Sequence, residues 1–270
     1  MAATLIDSHC HLDLDAFGDE RDAVIARARE ANLSRMVLIG QWAAPKEGSE
    51  DRSGLWQARE TLSLAKSEPA IFSCTAGVHP HDAAFATDAD WTELAELCAL
   101  PELIAVGECG LDYHYMRSPK EAQREQFAKQ LELAKSLRKP VVVHSREADQ
   151  ETAEILRAHL GPDGGVIHCF TSDWSAARAY LELGMHISFS GVVTFKTADS
   201  TRNAAAKIPL EKILVETDAP FLAPVPLRGK RNEPALVVHT AKKLAEVRGI
   251  SFEEVAEATS ANARRVLRLP

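Results

Sequence analysis

The stretch LIAVGECGLDYHYMRSPKEAQREQFAKQLELAKSLRKPVVVH, residues 103–144, contains one complete unit of the predicted fold. It begins with an apolar run from Leu103 to Glu108, continues with helical periodicity over residues 120–138, and returns to an apolar run from Val141 to His144. Strands that are apolar on both faces are typical of a parallel sheet covered by helices. The stretch is therefore predicted to form a strand, a helix and a second, parallel strand.

The same alternation extends in both directions, so that eight strands are predicted, each followed by a helix. The predicted strands are Leu5 to His9, Met36 to Gly40, Phe72 to Val78, Leu103 to Glu108, Val141 to His144, Val166 to Cys169, His186 to Ser190 and Ile213 to Thr217. Helices are predicted near residues 20–31, 56–67, 90–99, 120–138, 148–159, 174–183, 200–207 and 234–248, with a further pair near 251–257 and 260–267.

Eight such units favour an α/β fold of the (β/α)8 TIM-barrel type over an open, doubly wound sheet, which usually has fewer strands and a Gly-rich phosphate turn. A single barrel takes about 250 residues. The chain has 270 residues and no recognisable linker, so residues 1–270 are predicted to form one domain. Two irregular stretches, residues 41–53 and 223–234, are predicted loops at the C-terminal face, where barrel active sites lie.

The composition is that of an ordinary globular protein, with 46% hydrophobic and 26% charged residues. No apolar run approaches the roughly 18 residues that cross a bilayer. The first residues lack the basic start and apolar core of a secretion signal, and five irregularly spaced Cys do not form a disulfide framework. A cytoplasmic location is therefore predicted. The net charge of −8 argues against non-specific coating of duplex DNA but is compatible with one nucleic-acid end held in a pocket.

Potential metal ligands lie at or beside the ends of five predicted strands. His9 and His11 stand two residues apart, so that on an extended strand both side chains point to one face and Cys10 to the other. The other candidates are Glu108, His144, His168 and Asp218. Because barrel strand ends converge on the axis, these six residues are predicted to meet although they span 210 positions.

Four His and two carboxylates exceed what one four-coordinate ion needs, and burying them together is costly unless a metal or hydrogen bonds neutralise them. Two divalent cations are therefore predicted, with Glu108 as the carboxylate between them. A water molecule shared by the two cations would be acidified to a pKa near 7 and would be the nucleophile. Glu216, two residues before Asp218, is predicted to support the site from the same side.

Seven segments form a set along the chain: IDSHCHLD, GVHPH, VGECGLDYH, KPVVVHSRE, GVIHCF, ILVETDAPFLAP and RGKRNEP, in this order. With these segments the sequence resembles the TatD family of metal-dependent deoxyribonucleases, which belongs to the amidohydrolase-like barrels. The resemblance implies a metal-dependent hydrolase barrel with two metals, and hydrolysis of phosphodiester bonds in DNA, often from the 3′ end of single strands. It implies that His9, His11, Glu108 and Asp218 hold one metal, and that Glu108, His144 and His168 hold the other.

In this interpretation Asp218 accepts the proton of the attacking water, and Asp218 and Glu108 are the catalytic residues. Predicted substrate contacts are His79, Asp112, Arg146, Arg228, Arg231 and Asn232. The arginines supply the fork geometry that suits phosphate oxygens, and Asn232 offers amide donors. Asp112 is alternatively a carboxylate that orients a ligand His, or a residue that caps a turn. The loop at residues 41–53 departs from the acidic, Ser-rich pattern of the family.

Two other functions fit the same residues. An amidohydrolase acting on an amide, ester or lactone would use the same barrel and water, although the basic loop at residues 228–231 has no purpose for a small neutral amide. A binding protein could retain the metal centre without turnover. The His-rich ligand set suits Zn, Mn or Fe, whereas the resemblance implies Mg or Mn, so two divalent cations (Mg, Mn or Zn) are the predicted cofactors. DNA is the predicted partner, with no membrane and no obligate protein partner.

Overall fold

The computed structural model describes residues 4–12, 14–45 and 53–269, and of Leu14 and Asp15 only the backbone. Its eight strands form one sheet in the order β1 to β8. The pairings of β3 with β4, β4 with β5 and β7 with β8 are parallel. The strands are β1 (Leu5–Cys10), β2 (Leu33–Gln41), β3 (Phe72–Gly77), β4 (Leu103–Asp112), β5 (Val141–Arg146), β6 (Gly165–Ile167), β7 (His186–Phe189) and β8 (Ile213–Val215).

Helices follow each of these strands along the chain. Within the described residues they are α1 (Leu14–Phe17), α2 (Arg21–Glu30), α3 (Trp56–Ser67), α4 (Asp88–Ala99), α5 (Lys120–Leu137), α6 (Asp149–His159), α7 (Trp174–Glu182), α8 (Asp199–Lys207), α9 (Val237–Arg248) and α10 (Phe252–Val266). This order confirms the predicted (β/α)8 TIM-barrel fold class. In the part of the chain that is described, no helix has the length and apolar character of a transmembrane segment.

Contacts within the chain group it into two compact units, which we call unit 1 (Met1–Val37 with Ile167–Pro270) and unit 2 (Leu38–Val166). In unit 1, α10 packs on β1 and β8, and Phe189 and Tyr180 are fully buried. In unit 2, α5 packs on β4 and buries Phe127 and Leu131. Each such side chain contributes about 1.5–3 kcal/mol through burial. That residues 1–270 form one domain stays a prediction.

Strand β4 continues four residues past its predicted end at Glu108. Its glycines are the physical reason, because a Cβ on Gly107 would lie 2.4 Å from the carbonyl oxygen of Val142, and one on Gly110 would lie 2.0 Å from that of His144. Only glycine lets the β4 backbone lie this close to β5. The two glycines therefore fix Glu108 against the neighbouring strand, in the interior of β4 and not at its end.

Strands β6 and β8 end earlier than predicted, at Ile167 and Val215. His168 and Asp218 consequently lie in the loops that follow these strands. Backbone φ is positive at Cys169 (45°) and at Asp218 itself (57°). Such φ values are uncommon outside glycine and turn the chain sharply at Asp218 and directly after His168.

The predicted pair of helices at the C-terminus is one continuous helix, α10. The expected gap between the two helices lies at residues 258–259. In the structure the hydroxyl of Thr259 donates to the carbonyl of Val255 at 2.8 Å, and that of Ser260 to the carbonyl of Thr4 at 3.0 Å. The polar side chains at and beside the expected gap are thus satisfied without a break in the helix. The other predicted helices begin and end within three residues of their observed positions.

Candidate metal centre

The end of β1 presents two histidines beside Asp218 in unit 1. The thiol of Cys10 donates to the carbonyl of Val37 at 3.6 Å, so it points away from His9 and His11, as the alternation of a strand predicts. The Nε2 atoms of His9 and His11 lie 3.7 and 3.5 Å from Oδ1 of Asp218. Their ligand atoms fall within 4.8 Å of one another. This trio can hold one divalent cation.

Main-chain hydrogen bonds fix this arrangement. The amide of Asp218 donates to the carbonyl of His9 at 2.9 Å, and the amide of His11 donates to the carbonyl of Ala219 at 2.8 Å. The loop after β8 is therefore tied to the end of β1 on both sides of Cys10. The side chains of His9 and His11 are positioned by backbone geometry before any ligand binds.

His168 and Glu216 extend the unit 1 cluster. The rings of His9 and His168 stack at 3.9 Å with an interplanar angle of 11°. Oε1 of Glu216 lies 3.3 Å from Nδ1 of His168 and accepts the Cys169 amide at 2.7 Å. His9, His168 and Glu216 are buried and form a second group with ligand atoms within 4.8 Å. Glu216 thus lies beside the candidate ligands, as expected from its position two residues before Asp218, and its supporting role stays a prediction.

Asp218 is held in its charged form. Burial alone would raise the pKa of its carboxyl, but the hydrogen bond from His11 and the charges of His9 and His168 outweigh burial and lower it. A carboxylate that is ionised at neutral pH suits both a metal ligand and a proton acceptor.

Asp7, which sequence reasoning missed, supports the same loop. Its carboxylate accepts hydrogen bonds from the Thr217 amide at 2.9 Å, the Thr217 hydroxyl at 2.5 Å and the His9 amide at 3.3 Å. Burial raises the pKa of Asp7 to about 8, against these hydrogen bonds. The available signal was its position two residues before His9 on the same strand, which places both side chains on one face.

Unit 2 contains a separate group of His79, Glu108 and His144, again with ligand atoms within 4.8 Å. Oε1 of Glu108 lies 3.0 Å from Nδ1 of His144 and 3.4 Å from Nε2 of His79. Its other oxygen accepts a hydrogen bond from Gln41 at 2.6 Å. Burial lowers the pKa of His79 to about 4, which keeps the imidazole neutral as metal binding requires.

His79 was predicted as a substrate contact, and the structure places it among candidate ligands instead. It brings Glu108 and His144 together as predicted, whereas His168 lies with His9 and Glu216 inside unit 1. The sequence feature that could have identified His79 as a candidate ligand is its position just after β3. The other candidate ligands have equivalent positions at or after the ends of their strands. The assignment of Glu108 to a second metal as well stays a prediction.

Asp112 orients the unit 2 group and is not exposed to a substrate. Its Oδ2 lies 2.9 Å from Nε2 of His81 and 3.1 Å from Nε2 of His144, while Oδ1 accepts the amides of His114 and Tyr115 at 3.0 and 2.8 Å. Burial would raise its pKa, but hydrogen bonds from His144 and His81 hold it well below its usual range. The buried carboxylate is therefore a positioning residue, which is the alternative that the sequence left open.

Asp112→Asn is expected to weaken metal binding by the unit 2 group by about 10- to 100-fold, as loss of a carboxylate that orients a ligand His commonly does. Titration of the metal-free protein with Mn or Zn in a calorimeter measures this. Asp163→Asn is the matched control, because Asp163 pairs with the exposed Arg138 on the surface of unit 2. Equal affinities in the two variants would contradict the orienting role.

Asn232, which follows the basic residues 228–231 of unit 1, does not have the role predicted for it. The Asn232 side chain is buried; its amide donates to the carbonyls of Thr217 and Phe221 at 2.8 and 2.6 Å, and its oxygen accepts the Glu233 amide at 2.9 Å. The prediction that Asn232 donates to a phosphate is wrong on this geometry, because its amide donors are already used by main-chain carbonyls. Asn232 shapes the loop.

The two arginines of this loop have different surroundings. Arg231 forms an ion pair with Glu20, and its guanidinium lies 5.1 Å from the ring centroid of Phe17. The guanidinium of Arg228 lies 4.4 Å from the ring of Phe195. In unit 2, the guanidinium of Arg146 lies 5.0 Å from the ring of Tyr115. Arg228 and Arg146 thus hold their charge without an ion pair among the described residues.

The chain is similar in sequence to a family of known proteins. The family model described as TatD related DNase matches residues 6–268. This chain belongs to the TatD related DNase family. The uncharacterized metal-dependent hydrolase YabD of Bacillus subtilis is 37% identical over 266 residues, which cover 98% of this chain and 99% of the relative. A protein of a Rahnella species named 3′-5′ ssDNA/RNA exonuclease TatD is 36% identical over 265 residues, 96% of each chain.

Among solved structures, YJJV, a TatD homologue from Escherichia coli K12, superposes with a TM-score of 0.87 at 30% identity and covers 98% of each chain. The resemblance to the TatD family is therefore confirmed, and so is the barrel. The chain is a TatD-family metal-dependent hydrolase. The two groups of unit 1 and the group of unit 2 are its candidate metal-binding clusters.

Proposed function

We propose that this TatD-family protein is a deoxyribonuclease that hydrolyses phosphodiester bonds of DNA from the 3′ end of single strands. The observation that carries this proposal is the pairing of His with carboxylates: His9 and His11 with Asp218, and His79 and His144 with the buried Glu108. Such sets suit divalent cations that act on phosphoryl groups. The name of the Rahnella relative supports single-stranded nucleic acid as the substrate class.

The residues present fit divalent metal ions. Each trio offers imidazole nitrogens and a carboxylate oxygen within 4.8 Å, a donor set that suits Zn or Mn. His9, His11 and Asp218 would hold one ion, and Glu108 with His144 and His79 another. When bound, such ions polarise phosphoryl oxygens and make a water molecule more acidic.

The protein residues supply proton transfer and binding. Asp218, ionised because of its neighbouring histidines, accepts the proton of the attacking water on a carboxylate oxygen. Asp112 keeps His144 in one orientation. Arg146 and Arg228, which have no ion-pair partner among the described residues, bind phosphate oxygens of the substrate. This division of roles separates variants that change chemistry from variants that change binding.

Incubation of the purified protein with end-labelled single-stranded DNA tests the proposal. With Mg, Mn or Zn, a 5′-labelled strand is expected to give a ladder that shortens from the 3′ end, and a chelator is expected to stop the reaction. A strand with a blocked 3′ terminus controls for internal cutting. Intact DNA under every metal, together with hydrolysis of an amide, ester or lactone, would replace the nuclease with the amidohydrolase alternative.

Arg228→Ala is expected to weaken binding of single-stranded DNA and to reduce the slope of log affinity against log salt by about 0.7, the value of one lost phosphate contact. Arg231→Ala is expected to have a smaller effect, because Glu20 already neutralises Arg231. Fluorescence anisotropy across salt concentrations measures both slopes. Arg178→Ala, on the surface helix α7, is the control for loss of one charge. An unchanged slope in Arg228→Ala would remove this loop from the substrate site.

We also propose the cytoplasm as the location of the protein. All five cysteines are free thiols and none forms a disulfide, which agrees with a reducing compartment. DNA is the only partner that we propose.

A further inference from the structure

Three of the five exposed large apolar side chains among the described residues lie on two loops of unit 2, and the other two, Phe221 and Val225, lie in unit 1. Among the described residues, Phe85 is 57% exposed, Tyr115 is 52% and Met116 is 43%. The hydroxyl of Ser118 accepts the Ala84 amide at 3.1 Å and donates to the His81 carbonyl at 2.8 Å. These bonds hold the loop that follows β3 against the loop that follows β4. The three exposed side chains therefore lie on connected loops.

The two aromatic rings on these loops each pack against a neighbouring ring of unit 2. Phe85 stacks on the buried ring of Trp42, with centroids 6.4 Å apart and an interplanar angle of 17°. Tyr115 contacts the edge of His81 at 5.5 Å, and its amide donates to Asp112, which also binds the ligand His144. A ring that is fixed by its neighbours yet half exposed binds a flat partner at low entropic cost.

Two arginines stand over Tyr115. The guanidinium carbons of Arg146 and Arg117 lie 5.0 and 5.7 Å from its ring centroid. No carboxylate in the described part of the chain lies within ion-pair distance of either arginine, although the chain as a whole is acidic. Met116, which stands between Tyr115 and Arg117 in the sequence, has a φ of 49°, which is unusual for a residue with a side chain and marks a constrained turn.

We propose that Tyr115 and Phe85 are stacking platforms for successive bases of a single-stranded DNA substrate, and that Arg117 and Arg146 bind the phosphates between those bases. This inference rests on the proposed nuclease function and names where the strand lies. Aromatic rings interleaved with cations are the usual means of binding single strands without sequence preference. Asp112 joins the Tyr115 turn to His144, so the platform is built onto the unit 2 metal group.

Single-stranded DNA fits these side chains better than a duplex does. In a duplex the bases are stacked on one another and offer no free face, and non-specific duplex binding needs many more cations than two arginines in a chain of net charge −8. A ligand that is both anionic and aromatic matches the unneutralised arginines and the exposed rings together. Arginine also stacks on bases through its planar guanidinium.

The stacking platforms are tested by a double-mutant cycle, in which an aromatic side chain of the protein and the bases of the DNA strand are removed separately and together. Binding of a 12-nucleotide single strand and of a strand of equal length with abasic sites is measured by anisotropy in chelator, so that neither strand is cut. The wild-type protein is expected to bind the abasic strand more weakly, by about 5- to 100-fold for each lost base stack. In Tyr115→Leu and Phe85→Leu this preference is expected to shrink, while affinity for the abasic strand stays constant.

Trp91→Leu is the matched control, because Lys129 lies 5.5 Å from the ring of Trp91 on the helices α4 and α5. Its base preference is expected to equal that of the wild-type protein. Tyr115→Phe keeps the ring and is expected to retain the preference of the wild type, which separates stacking from any damage to the fold. Equal binding of both strands by the wild type, or an unchanged preference in Tyr115→Leu, would overturn the proposal.

The arginines are tested on the same strands. Arg117→Gln and Arg146→Gln are expected to weaken the two strands equally and to lower the salt slope, since abasic strands keep their phosphates. Arg157→Gln, an exposed arginine of α6, is the control. Hydrolysis of the same strands with added Mn reports the nuclease function separately. If the wild-type protein binds both strands equally but hydrolyses them normally, the stacking platforms are wrong and the nuclease function stands. If it prefers the strand with bases but hydrolyses neither strand, the platforms are supported and the nuclease function is wrong.

Discussion

Asp218→Asn is expected to lower the turnover of single-stranded DNA by about 10²- to 10⁴-fold, the usual contribution of a general base. Asparagine keeps the shape of the side chain but removes the charge and the basicity. The hydrogen bond from His11 and the charges of His9 and His168, which lower the pKa of Asp218, would no longer stabilise a negative group. Loss of a metal ligand would add to the decrease.

Turnover and DNA affinity should be measured on one preparation of Asp218→Asn at saturating metal. DNA affinity is expected to survive, because the proposed phosphate contacts belong to arginines outside the trio. Asp199→Asn is the control, since Asp199 is an exposed carboxylate of unit 1 in an ion pair with Arg202. Near-normal hydrolysis by Asp218→Asn would remove this residue from the mechanism, and a melting curve establishes that the variant is folded.

Much of the fold could be predicted because buried parallel strands and amphipathic helices have different periods. The apolar runs before Glu108, His144 and Asp218 mark strands whatever their exact length, and eight alternations specify the barrel. Strand ends were less predictable. The predicted strand ends at Glu108, yet β4 continues past it because Gly107 and Gly110 permit close contact with β5.

The candidate ligands were predictable for a related reason: they stand at or just after strands that end on one face of the barrel. His79 satisfied the same rule, but its position in a turn beside Pro80 made a substrate contact equally reasonable. The grouping of His168 with Glu216 depends on the loop geometry after β6 and β8, where Cys169 and Asp218 have positive φ. No sequence pattern specifies that geometry.

Buried polar networks were the least predictable part of the site. Asp7 and Asn232 both form hydrogen bonds with Thr217, which is 210 residues from Asp7 and 15 residues from Asn232. A sequence shows that such a side chain can form hydrogen bonds but does not show where the partner lies. Tyr115 and Arg117 were missed because exposure, not residue type, distinguishes them from ordinary loop residues.

The metal content of three alanine variants should show which cluster each ligand serves. His144→Ala is expected to remove the metal of the unit 2 group and His168→Ala to weaken the unit 1 cluster, because each His lies within 4.8 Å of ligands in only that cluster. Glu108→Ala is expected to remove at least as much metal as His144→Ala, and more if Glu108 also ligates the metal of His9 and His11. Turnover is expected to fall in all three variants.

The surface pair of His159 and Glu132 provides a control matched in distance. Nδ1 of His159 lies 3.0 Å from Glu132, as far as Nδ1 of His144 lies from Glu108, but His159 and Glu132 are exposed and belong to none of the candidate metal groups. His159→Ala and Glu132→Ala are therefore expected to leave metal content unchanged, measured by elemental analysis of dialysed protein. If Glu108→Ala retained more metal than His144→Ala, Glu108 would not be a shared ligand, because a residue that serves two ions cannot matter less than one that serves a single ion.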